Sequence, residues 1–232
     1  MARIFPGSES EEFEEFYVRS HPLPTETLNE VHVTKRPANP DRIVDQALRY
    51  FRSRSPQWRL VCGSDWGTLL AESCRRARLE PGPESPEMIL LSDRSPASSP
   101  EGDCRRAEVL SDLRTFQTTF SLANQLPESN FWVAERLLQS PEWDLFVGYL
   151  DNKPVCTGVG FTSNAVTGVW GIATMPEHRG RGLGRAVTQA VVEAGKSKGA
   201  RAAHLWATEL GFPVYQKMGF HHVENQNIWR HT

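Results

Sequence analysis

The sequence predicts an α/β fold, and three observations carry that prediction. Residues 30–91 alternate short β-prone runs with two stretches of helical periodicity, in the order β-α-β-α-β. The alternation resumes after residue 104, with a hairpin signal in its middle. Within it, Val169–Arg185 (VWGIATMPEHRGRGLGR) begins as an apolar run and breaks at Met175-Pro176. It then packs three glycines and three arginines into Arg179–Arg185, directly before a helical segment, Ala186–Lys198.

Taken in order, residues 1–28 form an acidic, polar lead-in, expected to be solvated and to carry a short helix, although Phe13 and Phe16 could pin it to an apolar surface. Glu30–Lys35 alternates as a strand does. After Asn39-Pro40-Asp41, the spacing of Ile43, Val44, Ala47, Leu48 and Phe51 predicts a helix, with Arg52 and Arg54 in its last turn and Pro56 closing it. Trp58–Cys62 reads as a buried strand and Asp65–Leu79 as a second helix, with Leu69, Leu70, Cys74 and Ala77 on one face. Pro81-Gly82-Pro83 ends that helix, and Met88–Leu91 is a further strand. Ser92–Asp103 (SDRSPASSPEGD) has linker composition, so a boundary is expected between an N-terminal region, 29–91, and a second domain, 104–232.

In that second domain Cys104–Val109 is expected to be a strand, and Ser111 to cap a helix running to about Gln125 with Leu113, Phe116, Phe120 and Leu122 as its apolar set. A helical piece near Phe131–Gln139 stops at Pro141. Asp144–Leu150 and Val155–Phe161 flank the hairpin signal Asp151-Asn152-Lys153-Pro154. Val166–Thr174 is the strand that leads into the glycine-arginine loop. Ala202–Ala207 follows as a strand, Gly211–Met218 as a short helix and Phe220–Trp229 as the closing strand.

At 232 residues the chain is long enough to bury a substantial core, and its 39% hydrophobic and 23% charged residues are ordinary for a soluble protein. A net charge of −2 supplies no basic field for non-specific nucleic-acid binding. No stretch approaches transmembrane length, and an acidic cluster stands where a secretory signal would place basic and then apolar residues. The chain is therefore expected to be cytoplasmic, a monomer or homodimer, with neither nucleic acid nor membrane as partner. Cys62, Cys74, Cys104 and Cys156 are far apart, with no C-x-x-C and no clustered histidines, so free thiols and no metal are expected.

The glycine-arginine loop points to phosphate. A helix start offers backbone N–H groups without intrahelical partners and about half a positive charge. Gly180, Gly182 and Gly184 allow positive φ and close approach of an anion, while Arg179, Arg181 and Arg185 add charge-assisted donors. The two common nucleotide patterns fail on register: no Lys-Ser or Lys-Thr follows, and three residues after Gly182 stands Arg185 rather than glycine.

Ile172-Ala173-Thr174-Met175-Pro176, then Arg179-Gly180-Arg181-Gly182-Leu183-Gly184, then Tyr215-Gln216-Lys217-Met218-Gly219-Phe220 together resemble the GNAT superfamily of acyl-CoA-dependent N-acetyltransferases. The loop fits that family's [RQ]-x-x-G-x-[GA] pattern, and Y-x-K-x-G-F lies where the family has it. The resemblance covers residues 104–232. It implies a mixed, mostly antiparallel sheet flanked by helices and splayed between its fourth and fifth strands, here Val166–Thr174 and Ala202–Ala207, with the cosubstrate acetyl-CoA in the gap. It further implies that the backbone of Ile172, Ala173 and Thr174 pairs with the pantetheine arm and that Gly180–Arg185, with Leu183 among them, hold the pyrophosphate. An amide at Ala173 or a neighbour would stabilise the oxyanion, and Tyr215 would protonate the CoA thiolate.

Two departures stand out. Thr208 occupies a slot where many members place a cofactor-contacting Asn. No obvious general base is present: Thr167–Thr174 has no carboxylate, the next strand offers only His204, and Glu209 reads as an exposed loop residue. The acceptor, a small-molecule or peptide amine, is unassigned, and a non-catalytic acyl-CoA-binding sensor or scaffold is the alternative to an enzyme. The N-terminal order repeats that of the second half of such a domain, but Pro37–Asp41 replaces the glycine-arginine loop; a degenerate half-copy and an unrelated α/β cap both remain open. His221 and His222 point to opposite faces of a strand and cannot share a metal. Trp132, Trp143, Trp206 and Trp229 are expected in cores, Trp170 beside the acceptor, and Asn164 in a turn.

Overall fold

The computed structural model describes residues 8–22, 25–91, 103–126 and 135–231. They belong to two compact units, Met1–Pro86 with Glu224–Thr232, and Glu87–Val223. Residues 92–102 of the expected linker Ser92–Asp103, the start of the helical piece at Phe131 and the side chain of Trp132 lie outside the described residues, and Asp103 begins a strand.

The first unit contains β1 (Glu9–Glu12), β2 (Phe16–Ser20), β3 (Glu30–Val33), α1 (Pro40–Phe51), β4 (Trp58–Gly63), α2 (Ser64–Arg76) and the two-residue β5 (Glu80–Pro81). The lead-in is thus not a solvated helical segment. β2 buries Phe16, Val18 and Ser20 in strict alternation and pairs antiparallel with β1 and β3. Phe13 stacks on Phe16 with ring centroids 4.4 Å apart. Three inward residues in an acidic context are too short a pattern to read from sequence, yet they seal the core's edge. β3 runs parallel to β4 through the α1 crossover, and α1 and α2 bury Ile43, Val44, Ala47, Phe51, Leu70 and Cys74 against Val31, Trp58 and Leu60.

The second unit contains β6 (Ser85–Leu91), β7 (Asp103–Arg106), α3 (Leu110–Asn124), a 3-10 turn at Glu135–Gln139, β8 (Trp143–Leu150), β9 (Lys153–Ser163), β10 (Val166–Thr174), α4 (Leu183–Ser197), β11 (Ala202–Trp206) and α5 (Phe212–Lys217). Its sheet order is β6-β11-β10-β9-β8-β7. Every pairing is antiparallel except β10 with β11, joined by the α4 crossover. Two-residue turns with positive φ close both hairpins, Asp151-Asn152 between β8 and β9 and Asn164-Ala165 between β9 and β10. α3 starts one residue before the expected cap: the Asp112 carboxylate accepts from the N–H of Val109, and Ser111 lies inside the first turn. Over the described part of the helical piece expected near Phe131–Gln139, Glu135–Gln139, the helix is a 3-10 turn.

One strand of each unit departs from the sequence-order expectation. Glu87–Leu91 of β6, which follows α2, pairs with Trp206–Ala202 of β11 and belongs with the second unit. The closing strand, β12 (His221–His231), pairs through Gln226–His231 with Gly63–Trp58 of β4 and belongs from Glu224 onward with the first. In pairing order the first unit repeats the second: an antiparallel pair, a helical crossover to a parallel strand, and an antiparallel strand beyond it.

α4 sits close on the sheet because glycines face it. A Cβ on Gly158 or Gly160 of β9 would lie 2.9 Å from Val187 or Val191, and one on Gly195 would lie 1.9 Å from the Thr167 hydroxyl. Leu183, Val187, Val191 and Val192 then pack on Cys156, Val169, Ala203 and Leu205 as the second unit's core. At the far end, Asp144, 1% exposed, pairs with Lys198 and Arg106 and fixes the helix end to β8.

Candidate active site

The loop from β10 to α4 is built to present backbone N–H groups. A 3-10 turn, Pro176–His178, leads out of β10, and the chain then enters Gly180 and Gly182 with φ of 77° and 79°. Among the described residues nothing lies within 4 Å of a Cβ placed on Gly180, so the loop is open there. Gly182 is the N-cap of α4 and has no side-chain cap; Leu183, Gly184 and Arg185 form its first turn, which carries no acidic residue. That turn exposes the uncapped, positive end of the helix. Arg179 braces the loop: its Nε donates to Thr174 O at 3.1 Å and its guanidinium also to Ala123 O at 3.3 Å, tying α3 to the end of β10.

The same position in the first unit is closed by the chain itself. Asn39 caps α1 by accepting from Arg42 N at 3.1 Å, Pro40 opens the helix, and Asp41 sits in its first turn. The Glu15 carboxylate accepts from Ala38 N at 2.6 Å and from Arg42 at 2.7 Å, and the Ala38 N–H holds its pKa below the usual value. A built-in carboxylate therefore stands where a phosphate would have to enter.

β10 and β11 pair only over Val166–Gly168 with Ala202–His204, although β10 continues to Thr174. The sheet splays beyond that point. On its other edge β10 bulges between Trp170 and Ala173, so Gly171 and Ile172 face the single residue Gly158 of β9. Gly171 has φ of 58° and its carbonyl accepts from the Thr157 hydroxyl at 2.9 Å, which fixes the bulge. Ile172, Ala173 and Thr174 thus line the splay just before the glycine loop.

Tyr215 on α5 is 8% exposed. Burial pushes its phenol up to about 12, against a smaller opposing effect of a hydrogen bond with Thr188 on α4. Thr188 in turn donates to Gly184 O at 2.8 Å, so the phenol is tied to the first turn of the glycine-loop helix. The Thr208 hydroxyl accepts from Gly211 N at 3.1 Å and shapes the turn into α5. Glu209 is exposed, as a loop residue would be.

On the sheet face away from α4, Trp143, Phe161 and Trp170 form one aromatic cluster with centroids 4.7 to 6.4 Å apart, while Trp229 lies in the first unit's core. His204 of β11 continues that face and pairs with Glu87 of β6 at 2.9 Å. Glu87 escaped the sequence analysis because 117 residues separate it from His204, and no local pattern signals which sheet β6 joins. All four cysteines are free, and no group of side chains suited to a metal ion occurs among the described residues. No helix among them is long and apolar enough to cross a membrane.

A family model described as "Acetyltransferase (GNAT) family" matches residues 108–220. Among solved structures, a GCN5-related N-acetyltransferase from Kribbella flavida superposes with a TM-score of 0.71 at 15% identity, over 97% of this chain and 90% of its own. A GCN5-related N-acetyltransferase from Sphaerobacter thermophilus gives 0.68 at 19% identity, covering 95% and 81%. A tandem GNAT protein from the clavulanic acid biosynthesis pathway gives 0.62 at 14% identity, covering 97% and 83%. At these identities the likenesses establish the fold. A search of curated proteins returns no match. The stretch from residue 108 to 220 is an acetyltransferase domain of the GNAT family.

Proposed function

We propose that the chain is an N-acyltransferase that moves an acetyl group from acetyl-CoA directly to the amine of a small molecule or peptide. The observation that carries this reading is one junction: a splayed, bulged β10 running into a loop of two positive-φ glycines and an uncapped helix start. In this reading an extended acyl donor lies alongside Ile172–Thr174, where β10 runs on without β11. The N–H groups of Gly180–Arg185, with the charges of Arg181 and Arg185, suit its pyrophosphate. Thr208, in the turn between β11 and α5, is assigned to the donor in the same reading.

The amine attacks the thioester carbon as a backbone N–H near Ala173 holds the developing oxyanion. The new C–N bond forms as the C–S bond breaks, Tyr215 gives its proton to the departing thiolate, and the proton lost from the acylated nitrogen to solvent balances the one the phenolate takes back. The first unit, whose helix start is closed by Asn39, Asp41 and Glu15, is in this account a degenerate copy with no donor site. We place the protein in the cytoplasm, as a monomer or homodimer. Substitution Gly182→Glu tests the site: it sets a side chain and a negative charge at a φ of 79° where the pyrophosphate would lie. Calorimetric titration should show acetyl-CoA binding in the wild type and none in the variant; equal affinities would move the donor site elsewhere.

A further inference from the structure

The transferase reading leaves one chemical need unmet. An amine near neutral pH arrives largely as an ammonium ion, and its lone pair is unavailable until a proton leaves. The glycine loop and α4 occupy one face of the sheet at the splay, so the amine has to approach from the other. That face carries, across neighbouring strands, Trp143 of β8, Phe161 of β9, Trp170 folded over Gly168 of β10, and His204 of β11: Trp143 pairs with Phe161, Phe161 with Gly168, and Gly168 with His204.

Only His204 in this row can take a proton at neutral pH. We propose that His204 is the general base for the acceptor amine and that Glu87 is its positioning residue. The proposal rests on the N-acyltransferase reading above.

Three observations support it. His204 Nε2 lies 2.9 Å from Glu87 Oε1, an arrangement in which Nε2 carries the proton and Nδ1 keeps its lone pair. No hydrogen-bond partner takes Nδ1 among the described residues. Glu87 pairs in register with Trp206, two residues beyond His204, so the contact leans the imidazole toward the open end of the splay. The Trp206 ring meets it edge-on at 4.9 Å and keeps it there. Finally, the indole N–H of Trp170 on the same face is buried with no acceptor among the described residues, a donor that a water or a polar group of the acceptor would satisfy. The hydrogen bond to His204 also holds Glu87 below its usual pKa, so the carboxylate is charged when it orients the ring.

The imidazole stands two to three strand residues, about 7–10 Å, short of the bulge, a span filled by the amine and one or two waters. His204 Nδ1 takes the ammonium proton through them and the neutral amine adds to the thioester carbonyl; the nitrogen then loses its second proton to solvent as the C–S bond breaks, and the thiolate leaves with the proton of Tyr215, whose phenolate is reprotonated from solvent. The imidazolium then returns its proton to solvent. The aromatic cluster beside the base keeps the path short of competing bulk water.

Two measurements on the full chain test the proposal. In 15N-labelled protein, long-range proton–nitrogen correlation, with His204 assigned by its loss in His204→Gln, should show neutral His204 as the Nε2–H tautomer. Glu87→Gln should mix the tautomers. An Nδ1–H tautomer in the wild type would overturn the assignment, because the proposed base would hold no lone pair. In the second, CoA release from acetyl-CoA is followed with a panel of primary amines. His204→Gln should lower kcat about 100-fold while acetyl-CoA still raises the melting temperature as in the wild type. An unchanged kcat would also overturn it. Wild-type protein that binds acetyl-CoA yet releases no CoA with any amine would instead overturn the transferase reading, and the tautomer result would stand apart from that failure.

Discussion

Tyr215 is where burial sets chemistry at the scale of one side chain. With its phenol pushed up to about 12, it keeps its proton across neutral pH and is a poor acid toward water. A thiolate expelled into apolar surroundings is raised in the same direction, as burial raises the Cys156 thiol of this unit. Proton transfer from phenol to sulfur is then close to balanced, which is where general-acid catalysis works best. Tyr215→Phe should therefore lower kcat about 100-fold with acetyl-CoA affinity nearly unchanged. Wild-type turnover should show no alkaline fall between pH 8 and 10 from loss of this proton, since the raised pKa keeps the acid form present until pH approaches 12. A kcat–pH profile of both proteins checks both statements. The short helix that carries Tyr215 and the glycine turn of Gly180 and Gly182 before α4 were legible in the sequence because their spacing is local. Glu15 and Glu87 were not, because a side chain that closes a helix start or orients a ring from another strand leaves no local pattern.

Among elements, α4 carries the most consequence, since its first turn must sit at the end of β10. Gly158, Gly160 and Gly195 let it approach the sheet without intervening side chains. A methyl at Gly195 would meet Thr167 Cβ at 2.8 Å as well as its hydroxyl, and Thr167 is 1% exposed with its hydroxyl bonded to Thr162 at 3.0 Å. Gly195→Ala should cost about 1–3 kcal/mol by overpacking, despite alanine's better helix propensity. Chemical denaturation would measure this, and a stabilised variant would mean the helix rides higher above the sheet than these contacts allow. β10 and α4 were readable from sequence because a nine-residue apolar strand and a fifteen-residue helix repeat their periods several times. β2, with only Phe16, Val18 and Ser20 inward, offers too few repeats to outweigh the acidic residues beside it.

For the molecule as a whole, the exchange of final strands is the feature that sequence order conceals. A reader who follows the chain assigns β6 to the element it succeeds and β12 to the domain it closes, whereas hydrogen bonding places Glu87–Leu91 beside β11 and Gln226–His231 beside β4. The alternation of strands and helices was therefore visible, and the partnership of the last strands was not. The two units share a pairing order but differ at the helix start, one closed by Glu15 and Asn39 and the other open at Gly182. Titration should accordingly give one acetyl-CoA bound per chain, and two would mean that the closed start of α1 opens. Acyl transfer to an amine is tested by the release of CoA thiol from acetyl-CoA by the full chain as primary amines are added. Saturable release that depends on both acetyl-CoA and amine is the predicted result. Tight binding of acetyl-CoA with no amine-dependent release would contradict it.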